Sequence, residues 1–378
     1  MAMLAFSFSL KAQMYVSTEP SHRNVILEEF TGRNCQYCPD GHAIANQITA
    51  SNPGRFWAVN VHAGSYAPTS YPNFNTTDAT AILGGFDVDG FPSGVVNRST
   101  AVGQSRSAWA SLANQQMNQM SECNVAGVAI VNPVTRLATI TVEVYYTGNS
   151  SVDQNYLTVA MVQDSILGSQ SGGSTWNPGQ MIGNQYVHMH ILRDVITNTW
   201  GDAIAPTTQG TLITKTYEYQ IPLTIGTPNG VDVDLDNIHF LAWVSEKYQG
   251  TPTRPILTAC ELEYLLGVDE PIYPIVAGIE IEGLYECTQA KTAAINIQNI
   301  GTSAITSMTV AMEYGDESYT ENWEGELMPF DRVKIMVPMT APFGVNDMVI
   351  SISEANGQAC PYVYTEPINS LEIGRAHV

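Results

Sequence analysis

The chain has 378 residues and a formal net charge of -21, from 36 acidic against 15 basic residues. Nucleic acid and anionic lipid headgroups are bound through basic patches, so this balance excludes a nucleic-acid partner. Hydrophobic residues make up 44% and charged ones 13%, which is the balance of packed domains rather than of an acidic disordered tail; the length calls for two or three such domains.

Residues 1–10 form an apolar run too short to span a membrane, and Lys11-Ala12-Gln13 resembles the end of a secretory leader. Residues 1–13 are therefore read as a residual signal peptide. No later stretch reaches the ~18 apolar residues that a membrane helix needs. Residues 24–30 are a short run rich in apolar side chains, ended by Thr31-Gly32, and read as a buried strand. Cys35-Gln36-Tyr37-Cys38 follows, and then Ala43, Ile44 and Ile48 recur at helical spacing until Asn52-Pro53-Gly54 stops them. Residues 55–61 read as a second strand, Thr77-Asp78 caps a short helix, residues 94–97 are a third strand and residues 105–120 a last helix. This alternation predicts an α/β domain over residues 20–121.

From Cys123 the pattern changes to short strands separated by turns such as Thr147-Gly148-Asn149 and Pro228-Asn229-Gly230. It predicts an antiparallel β-sandwich over residues 122–269. Beyond a proline-bearing linker, similar strands predict a second sandwich over residues 273–371. Residues 372–378 follow no structural pattern and match the read-through of a sequencing adapter, so they are left out of the fold.

Six cysteines, an even number, fit an exported chain with paired thiols. Pairing Cys35 with Cys38, Cys123 with Cys260 and Cys287 with Cys360 keeps each disulfide inside one predicted domain, although spacing alone leaves other pairings open. A Cys-x-x-Cys at a helix start has a specific chemical use. The helix dipole and free N–H groups favour the Cys35 thiolate, and Cys38, one turn on, resolves the mixed disulfide. Pro39 sits in the first helical turn, where its missing N–H does no harm. The other reading of the pair is an inert bond that stiffens the corner between strand and helix.

Over residues 22–120 the chain resembles the thioredoxin superfamily. Glu29 stands six residues before Cys35, where that family buries an acid that handles protons, and Phe91-Pro92 resembles its cis-proline loop, which faces the cysteines and docks substrate. Asn34 before the pair and Gln36-Tyr37 inside it depart from the thioredoxin pattern, which leaves the redox direction open. Leu27-Glu28-Glu29-Phe30-Thr31-Gly32, Cys35, Cys38 and Pro39 together resemble the opening of the twenty-eight-kilodalton outer-membrane protein family of Bacteroidetes-type bacteria. The run from Tyr186 to Asp194 resembles a motif in that family's β-rich half. The resemblance spans about residues 20–268 and implies export to the outer membrane, cell surface or periplasm. With the strand pattern beyond it, the chain reads as a multidomain α/β plus all-β fold: a thioredoxin-like domain followed by two antiparallel Ig-like sandwiches, the last, outside the resemblance, similar to adhesion modules.

His188 and His190, two apart on a predicted strand, share a face and have a spacing that suits Zn or Cu, although a third ligand is missing. Structural hydrogen bonding is their other reading. His62 ends the second strand near the C-terminal edge where α/β sites gather, and has two readings, a residue lining the cysteine pocket and, ahead of it, a surface histidine. Asp87 with Asp89, and Asp232, Asp234 and Asp236, alternate as calcium ligands can, without the glycine and distal glutamate of an EF-hand. No phosphate loop, nucleophile elbow or zinc-protease helix is present, and no cofactor is expected. Two functions remain open. One is thiol–disulfide exchange with protein partners through Cys35, Cys38, Glu29 and Pro92. The other is a non-enzymatic adhesion or assembly module that uses the fold as a disulfide-stapled scaffold.

Overall fold

The computed structural model describes residues 15–248, 254–282, 290–340 and 344–370. The leader, residues 372–378 and Cys287 lie outside them. The chain is mainly β, with several sheets and few helices, and divides into two compact units, one within Met1–Ile130 and Arg136–Tyr264, the other within Val131–Thr135 and Leu265–Val378. No helix among the described residues is long and apolar enough to cross a membrane.

The first unit opens with β1 (Val25–Thr31), α1 (Cys38–Ser51), β2 (Phe56–His62), α2 (Thr77–Leu83), β3 (Ser93–Val96) and α3 (Trp109–Met117). β1 is buried along its whole length and lies between β2, parallel to it, and β3, antiparallel. A strand buried on both faces needs cover on both. Val25, Leu27, Phe56 and Ala58 pack against Ala45 and Ile48 of α1 and Trp109 and Ala113 of α3. On the opposite face, Ile26, Phe30, Val59 and Val61 pack with Ala79 and Ile82 of α2.

The chain continues through β4 (Cys123–Val131), β5 (Leu137–Tyr146), β6 (Asn155–Gln163), β7 (Ile166–Gly168), α4 (Gly173–Trp176), β8 (Gln185–His188), β9 (Ile191–Val195), β10 (Leu212–Gln220), β11 (Ile238–Glu246) and β12 (Ile256–Glu261). Residues 122–269 do not close on themselves as the expected sandwich. β12, β11, β6 and β9 extend the sheet of β2, β1 and β3 in that order, and β9 joins β2 in parallel, with Ile191 opposite Asn60. The reason lies in β2, which is buried along nearly its whole length. An open edge there would leave a row of free N–H and C=O groups, and β9 supplies the partner. Leu192, Val162, Leu241 and Trp243 then complete the core begun by Ile26 and Phe30. β4, β5 and β10 lie in a separate sheet, where β10 pairs with β5 from Leu212 opposite Tyr145 to Gln220 opposite Leu137.

This layout separates Cys123, at the start of β4, from Cys260, which faces Ala242 in the extended sheet. The expected Cys123–Cys260 disulfide is absent and both are free thiols, each pushed up to about 12 by burial. A shared domain did not bring them together because they belong to different sheets.

In the second unit, β13 (Pro274–Glu282), β14 (Ala290–Asn299), β15 (Ile305–Tyr314), β16 (Glu317–Leu327), β17 (Arg332–Thr340), β18 (Gly344–Ala355) and β19 (Gln358–Ser370) form two antiparallel sheets, ordered β13-β14-β17 and β16-β15-β18-β19. Ile295, Ile297, Val310, Met312, Val337 and Ile350 fill the core they share. Cys360 lies on β19.

Candidate functional site

Successive residues of a strand face opposite sides of the sheet. On β1 this sends Glu28 and Glu29 into different layers. Glu28 meets Arg98, whose Nε and Nη2 donate to its two oxygens at 2.8 and 2.7 Å. Arg98 is itself fully buried, against the rings of Trp200 and Trp243. Glu29 points at α1, where neither carboxyl oxygen has a hydrogen-bond partner. Burial holds its carboxyl well above the usual carboxylate range, with Arg106 opposing only in part, which favours the neutral acid.

α1 begins at Cys38 with Pro39 in its first turn, and Cys35 stands just before it, disulfide-bonded to Cys38. Cys35 is 2% exposed and Cys38 fully buried. Gly41 is the close-approach residue: a Cβ there would lie 2.5 Å from Glu29 Oε1 and 3.1 Å from Pro92 Cβ. Gly41, in the first turn of the helix that Cys38 opens, thus brings Glu29 and Pro92 together. The Phe91–Pro92 peptide bond is cis.

A segment from the β-rich half covers the cysteine loop. Gln170 Nε2 donates to the Cys35 carbonyl at 3.0 Å and the Gly32 carbonyl at 3.3 Å, and Ser171 N donates to the Arg33 carbonyl. Gly172, at φ +75°, lies so close that a Cβ would sit 2.0 Å from the Gln36 carbonyl oxygen. Trp176 of α4 meets the Tyr37 ring edge-on. Arg33 binds both flanks, donating to Ser169 Oγ and to the Ser70 carbonyl.

A buried aromatic group begins further along the same helix. His42, one helical turn after Cys38, has Nε2 at 2.9 Å from Thr31 Oγ1 and 3.8 Å from Glu29 Oε1, and Nδ1 at 3.0 Å from the Tyr186 hydroxyl. His188 packs against Tyr186, Phe74 and His62. Burial lowers His42 and His188 to about 3, and His62 is likewise held neutral. His62 is buried and not at the surface, because the rings of Phe74 and His188 pack against it.

The expected pairing of His188 with His190 does not hold. His188 ends β8 inside this group, whereas His190, at φ +55°, lies outside any strand and meets Asp164 at 3.2 Å. The left-handed backbone breaks the alternation on which the shared face depended. Asp164 also faces His239, 3.5 Å away, and Glu261 accepts a hydrogen bond from His239 at 2.8 Å. These residues border a cavity of about 370 Å3 walled by Phe56, Trp57, Val162 and Leu241. Among the described residues no group of three or more His, Cys, Asp or Glu side chains is placed to hold a metal ion. Asp234, one of the calcium candidates, caps a short turn by accepting from Asp236 N.

Sequence reasoning missed His42, although its four-residue spacing from Cys38 places it on the same helix face. It also missed the Arg98 partner of Glu28 and the covering segment, for which no local signal exists.

No curated protein matches the chain. The family model described as outer membrane protein Omp28 matches residues 79–250. The resemblance to the Omp28 family is shown over this stretch. It includes Tyr186 to Asp194 and stops short of Cys35 and Cys38. The match supports the expected exported, outer-membrane or cell-surface location. Among solved structures, HBP35 of Porphyromonas gingivalis is 16% identical over 91% of this chain and 98% of its own, with a TM-score of 0.52, and shares the fold. A domain of the outer membrane lipoprotein Omp28 from Porphyromonas gingivalis is 13% identical over 39% of this chain and 90% of its own, with a TM-score of 0.24.

Proposed function

We propose that this is an exported envelope or surface protein whose thioredoxin-like part exchanges thiols and disulfides with protein partners. The observation that carries the reading is Glu29, fully buried with both oxygens unpartnered. Burying a polar group without a partner is costly, and a bond that only staples a corner has no use for a neutral acid beside it. Exchange does have one. A partner thiolate attacks Cys35 Sγ and forms a new S–S bond. The Cys35–Cys38 bond breaks, and the Cys38 sulfur leaves with the electron pair and takes the proton of Glu29. The partner's second thiol then displaces Cys35, leaving the partner oxidised and the chain reduced. In the reverse direction Cys35 attacks and Cys38 resolves, with Pro92 shaping the docking surface. The segment over the cysteine loop must move aside in either direction.

The reduction potential of Cys35–Cys38 in the full chain, equilibrated against glutathione with Cys35→Ser as control, tests this. A value above about -250 mV supports exchange; one below about -300 mV marks a structural bond. The 2% exposure of Cys35 favours that second reading, an adhesion or assembly scaffold stapled by the disulfide.

A further inference from the structure

His42 lies between the buried acid and a hydrogen-bond chain that fixes which of its nitrogens carries the proton. Gln180 Nε2 donates to the Val187 carbonyl at 3.1 Å, which turns Gln180 Oε1 toward Tyr186. A carbonyl oxygen only accepts, so the Tyr186 hydroxyl donates its single proton to Gln180, at 2.8 Å. Asn177 Nδ2 donates to the same hydroxyl oxygen at 3.0 Å. The remaining neighbour, His42 Nδ1 at 3.0 Å, has only a lone pair of that oxygen to meet and must itself be the N–H donor. A neutral imidazole has one N–H, and burial keeps this one neutral. Its Nε2 is therefore bare, accepting from Thr31 Oγ1 and facing Glu29 Oε1 at 3.8 Å.

We propose that His42 is a positioning residue for exchange at Cys35–Cys38, held by Tyr186 so that its unprotonated Nε2 takes a proton, the Thr31 hydroxyl turning away, when Glu29 gives its own to Cys38. The inference rests on the exchange reading above. The partner thiol releases its proton to solvent before it attacks, Glu29 protonates the departing Cys38 sulfur, and a proton from solvent adds to His42 Nε2. The carboxylate left on Glu29 then faces an imidazolium instead of standing alone in a buried site, where an unpaired charge is prohibitive. Other titratable groups around His42 are His62 on β2, Tyr186 and His188 on β8, and His190 beyond it, while Arg106 faces Glu29. None of them has a bare nitrogen within reach of Glu29 in the way that His42 Nε2 has.

The test uses the full chain, cleavage of the disulfide by dithiothreitol followed by thiol alkylation from pH 5 to 9, and the variants Glu29→Gln, His42→Gln and Tyr186→Phe. Replacing His42 with Gln is expected to slow cleavage about tenfold, short of the ~100-fold or more of a lost general acid, and to flatten the pH profile. The double variant with Glu29→Gln is expected to be no slower than Glu29→Gln alone. Histidine-selective 15N spectra of the unmodified chain give a second readout, in which His42 shows Nδ1–H with a bare Nε2 and loses that preference in Tyr186→Phe. An Nε2–H tautomer, an unchanged rate and profile in His42→Gln, or additive losses in the double variant would each overturn the proposal. If dithiothreitol cleaves nothing in the unmodified chain, exchange itself fails and takes this role of His42 with it, while the spectra still decide the tautomer.

Discussion

Glu28 and Glu29 are neighbours on β1, 1% and 0% exposed, and they meet opposite chemistry. Glu28 is closed into a two-pronged pair with the Arg98 guanidinium, while Glu29 is left without a hydrogen bond. Backbone, residue type and burial are the same for both, so the difference comes from the layer each one faces. One layer supplies a fixed cation between two tryptophans; the other supplies a helix start, a disulfide and a neutral imidazole. The first arrangement builds the fold; in the proposed exchange, the second holds the proton that the departing Cys38 sulfur takes.

Breaking the Glu28 side has the largest expected effect. Arg98→Ala strands a buried carboxylate and is expected to cost about 3–5 kcal/mol, measured by urea denaturation. Restoring that loss with a second change, Glu28→Gln, would show that the penalty is the orphaned charge. Gly41→Ala attacks the other side by pushing a methyl group into Glu29 and Pro92, with an expected loss of about 1–3 kcal/mol in the same assay.

Glu29→Gln sharpens the contrast through pH. The native state holds the Glu29 proton more tightly than the unfolded chain, whose carboxyl titrates near 4.5, so its contribution is fully present below 4.5 and is lost as pH rises above it. Thermal melts should show less loss of stability above pH 4.5 in Glu29→Gln than in the parent. The smallest effect belongs to His239, a histidine–carboxylate contact open to water. Asp164 and Glu261 raise it from 6.5 to about 10, so its contribution is present below pH 6.5 and disappears toward pH 10. His239→Gln should lower stability at pH 6 by under about 1 kcal/mol, because the group is 40% exposed, and should change little at pH 10.

What could be read from the sequence was what is local along the chain. The apolar run of β1, the helix after Cys38 and the place of Glu29 follow from spacing within a few residues. The joining of β9 to β2 does not, because strand-forming residues specify a strand and not the edge it will meet. The free state of Cys123 and Cys260 was hidden for the same reason. An even number of cysteines carries no information about which sheet holds each one. His188 and His190 were misjudged through a single left-handed residue, which alternation cannot foresee. His42 was legible as a position on α1, but its role depends on Tyr186, Gln180 and Val187, which lie far along the chain.

Gln170, which holds the Cys35 carbonyl, lies 135 residues downstream of it. A chain emerging from its N-terminus therefore presents both thiols long before their cover exists. Oxidation of the pair is easiest while the sheet is still incomplete, and every later exchange waits on the Gln170 segment moving aside.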